Sequence, residues 1–326
     1  MGARADGSAG AGAAGADDAC VDYAVVGGTG KLGFRVVERL IARDSHARVR
    51  CLVRDATAPR AAALAALDPS RVVLVEGDAT DADARAELLP ARVVVSTAGT
   101  VGRYRGLGDV LRDPAEHPDD VNHPYWINFR AQASLAREAT ATGACRRFVR
   151  VTGLSAGRSA ASPFAALFNV VACGTVRWQL EGERAIRESG TPYVILRPGA
   201  LKESPGAKDN ADAVLLHRAD DGPKAPGGAV GITRDALADV IVAATESDLN
   251  ANVTLSAVFE KREDEGTTAG GGASAADWRA AFAAAAPDVA PVPERGAAYV
   301  RWMGAYGAGA ALVALAALRL VAGIVL

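Results

Sequence analysis

The chain has 326 residues, half of them hydrophobic and 23% charged, which excludes a wholly disordered polymer and fits an ordinary globular protein. Lys plus Arg is 36 and Asp plus Glu is 38, a formal net charge of −2, so no global basic field exists to hold a nucleic-acid backbone. Cys20, Cys51, Cys145 and Cys173 lie far apart and form no Cys-x-x-Cys, which argues against a zinc cage or a disulfide framework and for a reducing compartment.

Residues 1–20 are mostly Gly and Ala with no hydrophobic period, and read as a flexible leader. They lack the arginine bias of a transit peptide and the apolar run of a secretory signal. From residue 21 to 260, short apolar runs alternate with helix-length amphipathic stretches. The runs at 22–27, 47–53, 71–76, 92–96, 147–152, 192–196 and 252–258 are expected strands. Between them, 31–43, 57–67, 80–89, 125–141, 174–189 and 234–246 carry helical patterns. Apolar, β-branched strands alternating with helices predict an α/β unit whose parallel sheet is covered on both faces. Residues 261–273 are charged and Gly-rich, a linker pattern. A short helix around 275–285 and a Pro-rich connector to 295 follow. The stretch 296–326 is almost entirely apolar.

The strongest chemical signal sits at the end of the first strand. Val25–Gly33 reads V-V-G-G-T-G-K-L-G, with Gly27, Gly30 and Gly33 spaced by three and followed by the apolar helix face Leu32, Val36, Val37 and Leu40. A pyrophosphate must approach the backbone where a Cβ would collide, and the helix start then offers free N–H groups. Gly27, Gly28, Thr29, Gly30, Lys31, Leu32 and Gly33 are therefore expected to bind a dinucleotide; a bare strand-to-helix turn is the plainer alternative. Arg54 stands at the end of the second strand, where a basic residue accommodates the 2′-phosphate of NADP(H). Asp55 beside it keeps NAD(H) possible, and NADP(H) is preferred.

These motifs, in this order, make residues 22–260 similar to the atypical short-chain dehydrogenase/reductase (SDR) family, in its NAD(P)H-binding, NmrA-like branch. The further segments that carry the resemblance are L-V-R-D (52–55), V-E-G-D-A-T-D (75–81), F-V-R-V-T-G-L-S-A-G (148–157) and E-R-A-I-R-E-S-G-T-P-Y-V-I-L-R-P-G (183–199). The resemblance implies a Rossmann-type, doubly wound, mainly parallel sheet of about seven strands. It implies Asp78 and Ala79 beside the adenine, Thr97, Ala98 and Gly99 beside the ribose, and the turn Arg197-Pro198-Gly199 near the nicotinamide.

The catalytic pattern breaks. Typical members use Ser, Tyr and a Lys four residues after the Tyr, the lysine lowering the tyrosine's pKa. None of the six tyrosines here is followed by Lys at +4. In the fifth helix Gln179 stands where the atypical branch often carries a lysine; it forms hydrogen bonds but brings no charge. Thr152 and Ser155, after the fifth strand, are the candidates to replace the serine, or they cap their own loop. Two readings follow: a reductase acting on a small, apolar carbonyl or enone substrate, and a non-catalytic NADP(H)-binding sensor, assembly or structural protein.

The long segment 100–125 reads either as a lid over the cofactor or as a surface insertion. Its His117 and His123 lack metal-ligand spacing, and no metal site is expected. Residues 202–228 read as a substrate-side loop. In the last segment, Trp302–Leu318 contains no charge, and the 25 residues from Trp302 would span about 37 Å as a helix, enough for a bilayer core of about 30 Å. With Tyr299, Trp302 and Tyr306 at one end, this predicts a hydrophobic C-terminal helix anchoring the protein in a membrane. Arg319 opposes that reading, and a helix docked on the globular unit is the alternative.

Overall fold

The computed structural model describes residues 20–101, 112–157, 165, 169–203, 214–218, 231–246, 251–259, 275–288, 301 and 304–305. The N-terminal leader before Cys20, the linker 261–273 and nearly all of the apolar stretch 296–326 lie outside them. Among the described residues no helix is long and apolar enough to cross a membrane.

β-Branched and leucine-rich runs form strands β1 (Val21–Val26), β2 (Val49–Val53), β3 (Val72–Glu76), β4 (Ala91–Ser96), β5 (Arg147–Val151) and β6 (Tyr193–Pro198). The helices between them are α1 (Lys31–Arg43), α2 (Pro59–Ala65), α3 (Ala82–Leu88), α4 (Ala131–Ala141) and α5 (Thr175–Glu188). Beyond β6 come β7 (Ala200–Lys202), β8 (Val214–Arg218), β9 (Gly231–Thr233), α6 (Arg234–Ala244), β10 (Val253–Phe259) and α7 (Ala275–Ala284). The main sheet runs β3-β2-β1-β4-β5-β6-β10-β8: seven parallel strands, closed at one edge by the antiparallel β8. β1 is central to one half, pairing Tyr23 with Val49 on one side and Val93 on the other. The strand order reverses between β1 and β4, the switch point outside which doubly wound sheets bind ligands.

Both faces of the sheet are buried, as its continuous apolar strands require. On one face Val25 and Val149 pack against Val36, Val37 and Leu40 of α1, Ile241 of α6 and Phe282 of α7. On the other, Ala24, Val26 and Phe148 meet Leu88 of α3, Leu135 of α4 and Ile186 of α5.

Three features depart from the sequence expectation. The helix expected over 125–141 begins as a π-helical segment, Tyr125–Arg130, before α4. Gly182 of α5 packs against that segment so closely that a Cβ would overlap the Asn128 carbonyl oxygen. The antiparallel β8 and the two-stranded β7–β9 ribbon were not anticipated. Strands β7, β8 and β9 lie in or beside the loop expected over 202–228, of which only 202–203 and 214–218 are among the described residues.

Candidate functional site

The β1–α1 turn is built by glycine. Gly27 has φ +90°, and a Cβ there would lie 2.7 Å from the Ala98 N and 2.8 Å from Thr97 Oγ1. At Gly33 a Cβ would run into the Gly27 carbonyl oxygen, so α1 can start this close to β1 only without a side chain. Gly30 caps α1, and no side chain accepts from the first turn, which also carries no acidic residue. The N–H groups at the start of this 13-residue helix thus remain available to an anion.

Two cavities meet at this turn. The first, about 280 Å³, gathers Gly27, Thr29, Gly30, Arg54, Asp78, Ala79, Thr97, Ala98 and Gly99, together with Thr100, Asn122 and Ile127. The second, about 360 Å³, is lined by Gly27, Gly30, Lys31, Leu32, Gly33, Thr97, Gly99, Arg150, Thr152, Gln179 and Arg234, among others. Gly27, Gly30, Thr97, Gly99 and Thr100 belong to both. Gly28 lines neither; it faces the core, where a Cβ would lie 3.1 Å from Leu64 Cδ2. The cradle a Cβ would fill, the uncapped helix start and the polar groups along both cavities fit an extended dinucleotide.

In the first cavity, Asp78 Oδ1 accepts from the backbone N–H and hydroxyl of Thr80, which shapes the turn after β3. Arg54 Nη1 donates to Asn122 Oδ1 (2.9 Å), so the segment after β4 reaches the first cavity. A third, open depression is lined by Thr29, Arg54, Asp55, Ala58, Pro59 and Arg60, and Arg60 donates to the Thr29 carbonyl. Two guanidiniums therefore flank Thr29. The Asp55 carboxylate accepts from the hydroxyl and backbone N–H of Thr57, which holds its pKa below the usual value. Sequence reading missed Arg60, whose signal was the A-P-R start of α2 right after L-V-R-D.

At the other end, the three proposed catalytic side chains gather around Gly153. A Cβ placed there would lie 3.7 Å from Ser155 Oγ and 3.8 Å from Gln179 Oε1. Thr152 lines the second cavity but donates its hydroxyl to Glu183 Oε1 (2.7 Å). Glu183 is fully buried. It accepts from Arg197 through both carboxylate oxygens (3.1 and 2.6 Å) and from Arg187 Nη2 (3.2 Å). Burial pushes its pKa up, but the charges of Arg197 and Arg187 outweigh that and hold it at about 2. Arg197 thus serves a buried ion network, and Arg197, Pro198 and Gly199 are not among the residues lining the two cavities. Leu201 and Arg234, absent from the sequence expectation, line the second one.

A further unanticipated group is Arg150, 1% exposed, which lines the second cavity. Its Nη1 donates to Ser96 Oγ (3.0 Å) and to the Ala98 carbonyl. Burial lowers its pKa to about 10, with Glu183 pulling the other way. Asn128, also fully buried, clasps Thr100 by accepting from its N–H (3.0 Å) and donating to its carbonyl (2.8 Å), which fixes the loop after β4. His123 Nδ1 accepts from the Tyr125 N–H, and among the described residues no three His, Cys, Asp or Glu side chains form a metal-binding group. All four cysteines are free thiols, and burial raises Cys51 to about 12 and Cys145 to about 11.

A family model described as NAD(P)H-binding matches residues 27–248, from the glycine turn through α6. The chain belongs to the NAD(P)H-binding family. The resemblance drawn from the motifs, to the NmrA-like branch of the atypical SDRs, holds with it. Among curated proteins, the chain is similar to the chloroplastic protein TIC 62 of Oryza sativa subsp. japonica, 32% identical over 187 residues that cover 55% of this chain and 35% of that one. The TIC 62 of Pisum sativum is 28% identical over 200 residues, 60% of this chain and 36% of its own. This chain therefore matches about a third of the length of these relatives.

Solved structures share the fold. A wide-type short-chain dehydrogenase/reductase from Veillonella parvula, determined in complex with NADP, superposes with a TM-score of 0.51 at 17% identity, covering 76% of this chain and 96% of that one. ChuY, an anaerobilin reductase from Escherichia coli O157:H7, gives 0.51 at 21% identity over 74% and 99%.

Proposed function

We propose that this chain is an NADP(H)-dependent oxidoreductase of the atypical SDR type, with its substrate in the second cavity. The observation that carries the reading is the sharing of Gly27, Gly30, Thr97, Gly99 and Thr100 by two cavities. A dinucleotide laid across that turn would place its adenosine end by Asp78 and Ala79 and its nicotinamide end by Thr152 and Gln179. The bound nicotinamide supplies or accepts the hydride. The chain's own residues bind and orient. The first turn of α1 holds the pyrophosphate, and Arg54 with Arg60 takes the 2′-phosphate. Gln179 and Ser155 hydrogen-bond at the reacting end. The charged and polar lining at that end favours a polar substrate over the apolar one expected from the sequence.

A specific observation favours a second reading, a non-catalytic NADP(H)-binding sensor, assembly or structural protein. No Tyr-x-x-x-Lys exists, and the Thr152 hydroxyl is spent on Glu183. The names of the similar rice and pea proteins place them in the chloroplast, and an organellar location is proposed for this chain. The apolar stretch 296–326 is its proposed membrane anchor. Single-turnover absorbance at 340 nm, with NADPH-loaded full-length protein and a library of carbonyl and enone compounds, separates the two activities. Oxidation by at least one compound supports the enzyme; stable NADPH binding with no oxidation by any supports the sensor.

A further inference from the structure

Strand β5 threads the middle of the sheet, and Phe148, Val149 and Val151 pack into the two cores. Between them Arg150 brings a guanidinium inside the fold. A buried cation is costly unless an anion meets it. Here Nη1 donates only to uncharged oxygens, those of Ser96 and Ala98, and Nε has no partner. Among the described residues no carboxylate forms an ion pair with Arg150. Glu183 acts on it only through its field and is itself bound to Arg197 and Arg187.

The other cations of the second cavity are placed differently. Lys31 Nζ and Arg234 Nη1 both contact Glu203 Oε1, at 2.8 and 2.9 Å. Arg150 is thus the cavity-lining cation left without a carboxylate among the described residues. In the same cavity Gln179 Oε1 is buried with no donor facing it. A positive donor and a bare acceptor in one cavity call for a ligand with the complementary pair.

We propose that the second cavity receives a substrate bearing a carboxylate, which Arg150 binds, and a hydroxyl or amine that donates to Gln179. This rests on reading the two cavities as the cofactor site and names the substrate class of that site. Arg150 lines the second cavity and not the first, which sets it at the reacting end. A cofactor phosphate is the other anion that could meet it, and the experiment separates the two.

Full-length protein saturated with NADP⁺ is titrated with lactate, glycolate and 4-hydroxy-3-iodobenzoate and with their methyl esters, and binding is read by saturation-transfer NMR. At least one acid is expected to bind tenfold or more tightly than its ester. Arg150→Met should erase that preference, Arg150→Lys should keep part of it, and both variants should bind NADPH within twofold of wild type. The proposal is overturned if no acid is preferred, or if the preference survives Arg150→Met. It is equally overturned if Arg150→Met weakens NADPH tenfold or more, which would assign Arg150 to a cofactor phosphate. Should Arg150→Met fail to fold, crystals of the NADP⁺-bound wild type soaked with 4-hydroxy-3-iodobenzoate decide. An iodine signal that places the carboxylate on Arg150 supports the proposal, and a signal only elsewhere, or none, refutes it. Loss of NADPH binding by the wild type would instead strike the cofactor reading itself.

Discussion

Arg54 and Arg60 flank Thr29 at the proposed adenosine end, each held by a neutral oxygen: Asn122 Oδ1 for one, the Thr29 carbonyl for the other. A 2′-phosphate would exchange such neutral bonds for charge-assisted ones, about twice as strong. Arg54→Ala is expected to weaken NADPH about tenfold or more and to leave NADH nearly unchanged, as read by calorimetric titration. Equal loss for both nucleotides would remove Arg54 from the phosphate. Glu183 makes a different kind of prediction. Its pKa falls from 4.5 to about 2 in the fold, so its contribution to stability is complete above pH 4.5 and is lost as the pH drops toward 2. Glu183→Gln removes the carboxylate that Arg197 holds through two hydrogen bonds and shares with Arg187, leaving Arg187 its bond to Asp288, and should cost about 3–5 kcal/mol at neutral pH. Chemical denaturation across pH 2–6 should show the wild type losing stability on acidification and the variant losing less. Parallel curves would place the charge elsewhere. Arg150 is visible in the sequence as one charge inside F-V-R-V-T, but a strand pattern does not tell a strand-end arginine at the surface from one turned into a cavity.

The seven parallel strands and most helices were legible because each carries a complete local signal: a short β-branched run, or an apolar face at helical spacing. Strand β8 was not, since V-L-L-H-R lies within a Gly- and charge-rich stretch and gains its order by pairing with β10. The β7–β9 ribbon is three residues per strand, too short for any periodicity to register. Long-range partners were equally hidden. Arg35 and Arg39 of α1 meet Asp235 and Asp239 of α6 across some 200 positions of chain, a match that no single segment announces. These pairs are partly exposed and contribute little stability. Helix α7 is tied down more firmly, by Phe282 with no exposed surface and by Asp288. Asp288 accepts from Tyr193 Oη (2.9 Å) and from the N–H and hydroxyl of Thr254. Phe282→Ala should therefore destabilise the folded unit by about 3–5 kcal/mol in urea denaturation. A change under about 1 kcal/mol would mean that α7 is not part of the core.

Among the described residues, one globular unit spans the family match and carries α7 as an added layer on α6. The apolar stretch 296–326 follows the family match in sequence and is, for the most part, outside the described residues. If it anchors the protein, full-length chain should stay in the pellet on carbonate extraction, and a version ending near Arg295 should be soluble and still bind NADPH. Release of both would count against the anchor without touching the cofactor site. The central claim is that the glycine turn joins two cavities into one dinucleotide site, and it is tested most directly by titrating NADPH into the full-length protein and into Gly30→Val. Gly30 lines both cavities, and within 4 Å a Cβ there would meet only the Gly27 carbonyl oxygen, at 3.0 Å. A valine should leave the fold intact and fill the space a pyrophosphate needs. The wild type is predicted to bind NADPH, and more tightly than NADH, while Gly30→Val, folded by circular dichroism, binds neither. Undiminished binding by a folded Gly30→Val, or no binding by the wild type, would contradict the assignment.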